Sequence, residues 1–347
     1  MQLKKLSVKN LGCFDEEVYS IDFTGETLIA GPNNSGKSMF LSGVNIIRYL
    51  IVGGFGWSTD LYNLVNFDAA VHAHENNRTI NIVMTLFEGS NQFIYDASFD
   101  KEKFGLQVNG KEYSRTAENI RLHNDLMRRI WFFRPNRSPV PYSSTVQPTA
   151  GTLQPLRPDG SNVINYLLER WTDRDKGWDI VESWLRKIDP DMTELKTPIR
   201  GNLTSLETMF GNIPVNVSLQ GSGFQSAAAI IAAVVFSPEN STIIIEEPEV
   251  FLHPNSQEII VDMINDAVNN QKKQVIFSTH SCNILLPFYR DIGINGRKRE
   301  AQHIRADLDR FSMWTFKKTS GKVLIDHYPL KTKTFQHFKE DFKYIWG

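Results

Sequence analysis

Gly31-Pro-Asn-Asn-Ser-Gly-Lys-Ser38 is the stretch of sequence that decides the fold. It fits the phosphate-loop pattern of Gly, four free positions and Gly-Lys-Ser/Thr, and it follows the apolar run 27–30. Backbone N–H groups of such a loop, with the N-terminus of the next helix, bind a polyphosphate. In this pattern Lys37 reaches the β- and γ-phosphates, and the Ser38 hydroxyl is a ligand for Mg²⁺. The alternative for the motif alone is a Gly-rich turn before a core helix.

The composition is that of an ordinary globular protein. The 347 residues include 38 Lys plus Arg and 39 Asp plus Glu, for a net charge of −1. This balance does not favour nucleic acid or an anionic membrane as a partner, and it leaves a local basic patch open. Two cysteines, Cys13 and Cys282, do not suggest a disulfide framework or a thiolate zinc cluster, and they fit a reducing cytoplasm. The N-terminus lacks a signal-peptide core, and the most apolar run, 227–236, is too short to span a bilayer.

Hydrophobic periodicity places further elements around the phosphate loop. Residues 2–30 alternate as strands, and a helix follows from about residue 36 to residue 50. Beyond it the pattern predicts strands at 79–87 and 93–99, a helix at 116–129, a buried strand at 130–133, helices within 161–188, short strands within 190–220, a hairpin within 313–328 and an amphipathic helix at 333–346.

A Pro-rich stretch divides the chain. Residues 134–160 hold six prolines and few apolar anchors, which predicts a long surface loop or lid. We therefore predict three parts: an N-terminal lobe over 1–133, this loop with a helical insertion over 134–220, and a C-terminal lobe over 221–347.

A second strand ends in acidic residues. Thr242-Ile-Ile-Ile-Glu246-Glu247-Pro248 is a β-branched run of the kind found in buried parallel strands. In a doubly wound sheet, its carboxyl end meets the mouth of the phosphate loop. Glu246 could hold Mg²⁺, directly or through water, and Glu247 could polarise an attacking water. The alternative is a strand with a solvated acidic exit.

Two more motifs follow the same order along the chain. The apolar run 274–279 ends in His280, and a histidine there can contact a γ-phosphate or, alternatively, cap the next helix. Leu219-Gln-Gly-Ser-Gly-Phe-Gln225 precedes an all-apolar helix that we predict at 226–236. A Gly-Ser-Gly turn at a helix N-terminus is another anion site.

Taken together, these four motifs resemble the ABC-type AAA ATPases, which include the RecF, chromosome-maintenance and overcoming-lysogenization-defect groups. The form Glu246-Glu-Pro-Glu-Val-Phe-Leu-His-Pro254 and the stretch Pro158-Asp-Gly-Ser-Asn162 are similar to the short bacterial members, and Val8–Phe14 resembles the family's first strand. The resemblance covers most of the chain. It implies an α/β P-loop NTPase fold of the ABC ATPase-head type, with a mixed central sheet, an antiparallel β lobe and a helical lobe.

The resemblance also implies the enzyme's mode of action: two ATP molecules are sandwiched between two heads, and each meets the signature serine of the other subunit. The residues that it assigns to catalysis are Lys37, Glu247 and His280. Those that it assigns to magnesium are Ser38 and Glu246. Those that it assigns to nucleotide contact are Gly31, Asn33, Asn34, Ser35, Gly36, Lys37, Ser38 and Met39, with Ser222 and Gly223 as the signature pair.

Three positions depart from the family pattern. Glu246 stands where the wider ABC class more often has Asp. His253 stands near that class's dimer-contact aspartate, and its role is open. No clear glutamine is found for the segment that senses Mg²⁺ and the γ-phosphate, for which Asn66 or a neighbour is a candidate.

Two groups of side chains outside the motifs have a functional and a simpler interpretation. Asp307 and Asp309 could form a metal pair, but surface carboxylates are the simpler account. Arginines at 128, 129, 134 and 137 flank the aromatic run 131–133 and could bind nucleic acid. A buried strand with solvated ends is the simpler account of that run.

The preferred hypothesis is a cytoplasmic ATPase that forms a homodimer or higher oligomer and controls a separately encoded effector or nuclease. Antiphage defence is the setting that the resemblance implies. The alternatives are a nucleotide-dependent scaffold or sensor with slow hydrolysis and a RecF-like DNA-repair ATPase. No membrane partner is predicted.

Overall fold

The computed structural model describes most of the chain. The described ranges are 1–52, 71–72, 78–101, 103–134, 140–146, 156–157, 159–173, 175–285, 311–328 and residue 343. The candidates Asn66, Asp307 and Asp309, the arginine at position 137 and nearly all of the predicted helix at 333–346 lie outside these ranges.

Strands make up much of the described chain. In chain order they are β1 (Gln2–Lys9), β2 (Tyr19–Asp22), β3 (Glu26–Ala30), β4 (Ile80–Glu88), β5 (Asn91–Phe99), β6 (Phe104–Val108), β7 (Lys111–Glu112), β8 (Ile130–Phe133), β9 (Ser144–Thr145), β10 (Glu194–Lys196), β11 (Ile199–Arg200), β12 (Leu203–Thr204), β13 (Glu207–Phe210), β14 (Ile213–Asn216), β15 (Thr242–Glu246), β16 (Gln274–Thr279), β17 (Phe311–Thr319) and β18 (Lys322–Tyr328).

The helices follow the predicted order. They are α1 (Lys37–Val52), α2 (Ala117–Arg128), α3 (Val163–Thr172), α4 (Gly177–Ile188), α5 (Ser222–Phe236), α6 (Pro254–Asn270) and α7 (Cys282–Leu285), with a 3₁₀ turn at Val217–Leu219. Among the residues that the structure describes, no helix combines the length and the apolar character that crossing a membrane requires.

The central sheet has the strand order β18-β17-β3-β16-β15-β8. Its first five strands from the β8 edge run parallel, and only β18 is antiparallel to its neighbour. Every residue of β3, β15 and β16 is buried, as expected for parallel strands covered on both faces. Because these three strands are neighbours, their carboxyl ends lie side by side at one edge of the sheet.

Two hydrophobic cores lie on opposite faces of this sheet. On β15, Ile243 and Ile245 pack into one core with helices α5 and α6, whereas Ile244 packs into the other with α1. Successive side chains of a strand point to opposite faces, so a strand between two cores must be apolar at every position. This requirement explains the uninterrupted apolar run that the sequence shows at 243–245.

An antiparallel sheet covers the other side of α1. Its order is β2-β1-β4-β5-β6-β7. Phe40, Val44 and Ile47 of α1 share one core with Leu6 of β1 and Ile82 of β4. The sequence prediction of a mixed central sheet with an antiparallel lobe is therefore confirmed.

The aromatic run 130–133 forms β8, the edge strand of the central sheet, and all of its residues are buried. The flanking Arg129 makes an ion pair with Glu88, with Nη1 2.7 Å from Oε1. Because the rings of Trp131 and its neighbours are in the core, they are not available for stacking on bases. The simpler account of a buried strand with solvated ends is confirmed.

The prediction of a surface loop over 134–160 is wrong for part of that range. Val140 and Leu156 are buried in the same core as α5, and Ser144–Thr145 pairs with β12 as β9. A single apolar residue between prolines has no periodicity, so the sequence pattern could not identify these anchors. The division of the chain into three parts stays a prediction.

Candidate active site

Three loops meet at the carboxyl edge of the central sheet. They follow β3, β15 and β16, and they carry the phosphate loop, the acidic pair and His280. The Gly31 amide donates to the Thr279 carbonyl at 3.2 Å, and the Glu247 amide donates to the Ser278 carbonyl at 2.9 Å. These bonds continue the sheet past its last regular residues and bring the three motifs together.

The phosphate loop leaves no room for a side chain at Gly31 or Gly36. Gly36 has a φ of +102°, and a Cβ there would come within 2.8 Å of Cys13 Sγ. A Cβ at Gly31 would collide with the Phe316 carbonyl oxygen. Asn34 has a φ of +61°, in the left-handed region that Asn enters more readily than most residues. Both glycines of the motif are thus required by close packing.

Lys37 occupies the space inside this loop. Its side chain is buried, and Nζ donates to the carbonyls of Gly31 at 2.7 Å and Pro32 at 2.8 Å. Burial lowers the pKa of Lys37, and the nearby carboxylates of Glu247, Glu249 and Glu246 oppose that shift. The ammonium therefore faces an acidic cluster. Phosphate oxygens could replace the two carbonyl oxygens as its acceptors.

The other residues of the loop differ in exposure. Asn33, Asn34 and Ser38 are exposed, and Ser38 lies in the first turn of α1. Ser35 is buried and Met39 is half-buried. The exposed hydroxyl and the exposed loop backbone leave this side of the loop open to a ligand.

The acidic pair, Glu246 and Glu247, lies where strand β15 ends. Glu246 is the last residue of β15 and is buried, whereas Glu247 is partly exposed. Glu247 has a φ of +45°, a conformation that costs a residue other than Gly about 1–3 kcal/mol. Such strain persists where the surrounding structure imposes it, and it is common at functional sites. The two carboxylates therefore face different surroundings.

His280 lies between two carboxylates. Its Nδ1 is 3.3 Å from Glu247 Oε1 and 3.3 Å from Glu249 Oε1. Glu249 is buried, and its Oε1 accepts bonds from Thr279 Oγ1 at 2.7 Å and the His280 amide at 2.9 Å. No role for Glu249 is predicted from the sequence. Its only signal was its place in the quoted Glu-Glu-Pro-Glu motif.

Several buried polar atoms around this edge have no hydrogen-bond partner in the described chain. They are Ser35 Oγ of the phosphate loop, Ser278 Oγ at the end of β16, Oε2 of Glu249 and Nδ1 of His280. Buried polar atoms are normally satisfied, and exceptions indicate an absent water, ion or ligand. Oxygen donors and an ammonium at one sheet edge suit a polyphosphate with a hard divalent cation.

The signature motif lies at the start of α5. The helix begins at Ser222 rather than at residue 226, so the predicted helix boundary is wrong, and Gly221 is the N-cap residue. Ser222 is exposed, while a Cβ at Gly223 would come within 2.6 Å of the Phe251 carbonyl oxygen. The motif is therefore the first helical turn and not a separate loop.

The signature pair is separate from the cluster around Lys37. In the described chain, the hydrogen bonds and ion pairs of Lys37, Glu247 and His280 do not involve Ser222 or Gly223. The structure thus brings together the phosphate loop, the acids and His280 of one chain. Ser222 is exposed at the protein surface, apart from this cluster.

Gln225 holds the signature turn in place. Its Nε2 donates to the carbonyls of Ser218 at 3.3 Å and Gln220 at 2.9 Å, and its Oε1 accepts from the Val140 amide at 2.8 Å. Gln225 lies within the signature motif, but its sequence pattern predicts no role for it.

We expect Gln225→Ala to increase amide hydrogen exchange of residues 218–222 by about tenfold or more, because one net hydrogen bond is worth about 1 kcal/mol and three are lost. Hydrogen–deuterium exchange with peptide-level readout measures this. Gln107→Ala, at an exposed position on β6, is the control. Equal exchange in both variants would show that Gln225 does not restrain the turn.

His253 has a structural role in this chain. Its side chain is the N-cap of α6, and Nδ1 accepts from the Asn255 amide at 3.3 Å. A side chain that satisfies a free N–H group stabilises the start of a helix. This contact accounts for the position that the sequence analysis left open.

Comparison with known proteins gives a match to an ATPase family and similarity to two proteins named as nucleases. A family model described as an AAA ATPase domain matches residues 159–285. An OLD nuclease of Thermus scotoductus is 23% identical over 363 aligned residues, which cover 94% of this chain and 66% of that protein. Endonuclease GajA of Bacillus cereus is 33% identical over 105 residues, which cover 25% of this chain and 15% of that protein. This chain therefore matches only part of either nuclease.

The fold is similar to that of a solved SMC head bound to the C-winged helix domain of ScpA. The TM-score is 0.61 at 13% sequence identity, and the match covers 95% of this chain and 98% of that chain. The predicted α/β fold of the ABC ATPase-head type is confirmed by this likeness.

Proposed function

We propose that this chain is an ABC-type AAA ATPase, similar in sequence to an OLD nuclease and in fold to an SMC head, and that it binds ATP at its phosphate loop and hydrolyses it. The observation that carries the proposal is the meeting of three motifs at one sheet edge. Gly31 is bonded to Thr279, and Glu247 is bonded to Ser278. A phosphate-binding loop, an acidic pair and a histidine are thereby held within one site.

Magnesium fits the oxygen donors at this edge. Ser38 and Glu246 would hold it, by the assignment that the family resemblance implies. When bound, the ion would neutralise charge on the phosphate oxygens. The buried Ser35 and Ser278 hydroxyls, which have no partner in the described chain, supply further polar contacts for a ligand.

Three side chains of the chain itself would act on ATP. Lys37 would donate to phosphate oxygens in place of its two carbonyl acceptors. Its positive charge would then lie beside the β- and γ-phosphates. Glu247, partly exposed at the strained turn, accepts a hydrogen bond from the attacking water and orients it. His280 is fixed beside that carboxylate and donates to the γ-phosphate as charge develops.

We propose that the site is completed by a second subunit. Ser222 is exposed, and the contacts of Lys37, Glu247 and His280 within one chain do not include it. A helix N-terminus carries partial positive charge and free N–H groups that suit a phosphate. Ser222 and Gly223 of one subunit would therefore contact the γ-phosphate on the phosphate loop of the other, giving an ATP-dependent oligomer.

We propose that a separately encoded effector or nuclease is controlled by the ATP state of this chain in antiphage defence. The support for this proposal is the resemblance of the motifs to short bacterial ATPases and the similarity to proteins named OLD nuclease and Endonuclease GajA.

Ser222→Arg tests the subunit arrangement. We expect ATP affinity of the isolated subunit to stay unchanged, because the hydrogen bonds of Lys37 among the described residues do not involve Ser222. Turnover should fall about 100-fold or more, because a bulky side chain at the signature prevents closure onto the partner's ATP. Nucleotide binding by equilibrium dialysis and phosphate release measure the two quantities.

The matched control is Ser183→Arg, which places the same side chain at an exposed position of α4. It should leave both quantities within about twofold of the unmodified protein. Weakened ATP binding in Ser222→Arg, or turnover equal to that of the control, would contradict the shared site.

A further inference from the structure

The buried carboxylate of Glu249 has no role in the site described so far. It is 5% exposed, and burial raises its pKa against the hydrogen bonds that it accepts from Thr279 and the His280 amide. Burying a carboxylate is costly unless specific partners compensate. The Thr279 hydroxyl and the His280 amide, which donate to Glu249 Oε1, belong to the strand end that carries His280.

The contacts of Glu249 hold the backbone and the ring of His280 together. Oε1 accepts from the Thr279 hydroxyl and the His280 amide, and it lies 3.3 Å from His280 Nδ1. Ser281 continues the same turn, because its amide donates to Thr279 Oγ1 at 2.9 Å. One carboxylate oxygen therefore determines where residues 279 to 281 leave β16.

The ring of His280 lies close to two acidic side chains, although its Nδ1 has no hydrogen-bond partner among the described residues. Glu247 Oε1 and Glu249 Oε1 are both 3.3 Å from Nδ1. Acceptors on one side of an imidazole favour a hydrogen on the nitrogen that faces them, and the other nitrogen becomes available for a different partner. Carboxylates that orient a functional histidine in this way are common at metal and catalytic centres.

We propose that Glu249 is a positioning residue, which holds the His280 amide and places a carboxylate beside Nδ1, so that Nε2 is available to the γ-phosphate and Glu247 is available to water. The proposal rests on the proposed ATP hydrolysis. Without Glu249, Glu247 is the remaining carboxylate beside Nδ1, and the ring turns toward it. That contact competes directly with the role of Glu247 toward water.

A purely structural role makes different predictions. In that case Glu249 braces the turn, and its loss lowers stability without altering the protonated nitrogen of His280. Glu249→Gln separates the two roles, because it retains the size and an acceptor oxygen for Thr279 and the His280 amide but removes the charge. Glu249→Asp retains the charge on a shorter side chain.

The first experiment uses protein labelled with ¹⁵N-histidine and needs no ATP. The ring signals of His280 are identified by their loss in His280→Ala. We expect Glu249→Gln to change the ¹⁵N shifts of Nδ1 and Nε2, Glu249→Asp to restore them in part, and Glu112→Gln, an exposed change on β7, to leave them unaltered. Unaltered His280 signals in a folded Glu249→Gln protein would overturn the proposal, whatever the ATPase result.

The second experiment measures turnover under single-turnover conditions. Glu249→Gln should lower the rate about 10- to 100-fold, with ATP affinity and the thermal midpoint unchanged, because misplacement of a reacting group has an effect of that order. In the His280→Ala background the same substitution should cause no further loss. Equal losses in both backgrounds would show that Glu249 does not act through His280.

Discussion

ATP turnover is expected to fall to background in Glu247→Gln, a loss of about 1,000-fold or more, while ATP binding is retained. An amide cannot accept a proton from water as a carboxylate can, and general base catalysis contributes about 100- to 10,000-fold. ATP binding depends on Lys37 and the phosphate loop, which the substitution leaves in place. Phosphate release and equilibrium dialysis measure the two effects.

The control for this variant is Glu112→Gln, which also removes one carboxylate but at an exposed position on β7. Its turnover should equal that of the unmodified protein. If Glu247→Gln retains full turnover, the assignment of the acidic pair is wrong. Loss of ATP binding in this variant would instead indicate damage to the loop.

The same variant separates the ATPase hypothesis from the scaffold hypothesis. With turnover blocked, ATP should keep subunits associated, and light scattering should show a larger mass with ATP than without it. Full biological activity of Glu247→Gln together with inactivity of Lys37→Ala would favour a nucleotide-dependent scaffold. ATPase activity that DNA stimulates, with salt-sensitive DNA binding, would favour the RecF-like alternative.

The second large effect is expected for stability, in Gln274→Leu. Gln274 is buried at the start of β16 and uses its whole amide group. Nε2 donates to the carbonyls of Leu3 and Thr24 at 2.7 Å, and Oε1 accepts from the Leu3 amide and Thr242 Oγ1 at 2.8 Å. These bonds join the antiparallel sheet to the central sheet.

Leucine has a similar volume but cannot form hydrogen bonds. Up to four buried polar groups would lose their partner: the Leu3 amide, the Leu3 and Thr24 carbonyls and the Thr242 hydroxyl. Each such group costs about 1–3 kcal/mol, so the free energy of unfolding should fall by about 3 kcal/mol or more. Urea denaturation followed by circular dichroism measures the change.

Gln107→Leu is the matched control, because Gln107 is exposed on β6, and surface changes usually stay within about 0.5 kcal/mol. An equal loss in both variants would show that the contacts of Gln274 do not stabilise the fold.

Motif residues could be predicted from the sequence where the fold restricts the residue type at several consecutive positions. The phosphate loop needs Gly31 and Gly36 because a side chain at either position would collide with Phe316 or Cys13. The run 243–245 needs apolar residues because β15 lies between two cores. Both requirements fall on a few consecutive residues, so the resulting pattern is visible in the sequence, although the packing partners come from distant parts of the chain.

Other residues could be recognised only once the chain was folded. Val140 is one apolar side chain in a Pro-rich stretch, and only its burial beside α5 marks it as an anchor. The helix at the signature begins at Ser222, earlier than the apolar pattern indicates, because Ser222 and Gly223 carry no apolar periodicity. The N-cap role of His253 likewise depends on where α6 begins.

The sequence by itself determined which short segments carry the phosphate-loop pattern, end a buried strand in acids or start a helix with Gly-Ser-Gly. Periodicity, glycine and strand-end chemistry are properties of neighbouring residues, and they suffice for the family and the order of the elements. Only the tertiary structure decided which acids act together. Glu247 and Glu249 follow β15, and His280 follows β16. The two carboxylates face the same nitrogen of His280 because these strands are adjacent in the sheet, although the strands are far apart in the chain.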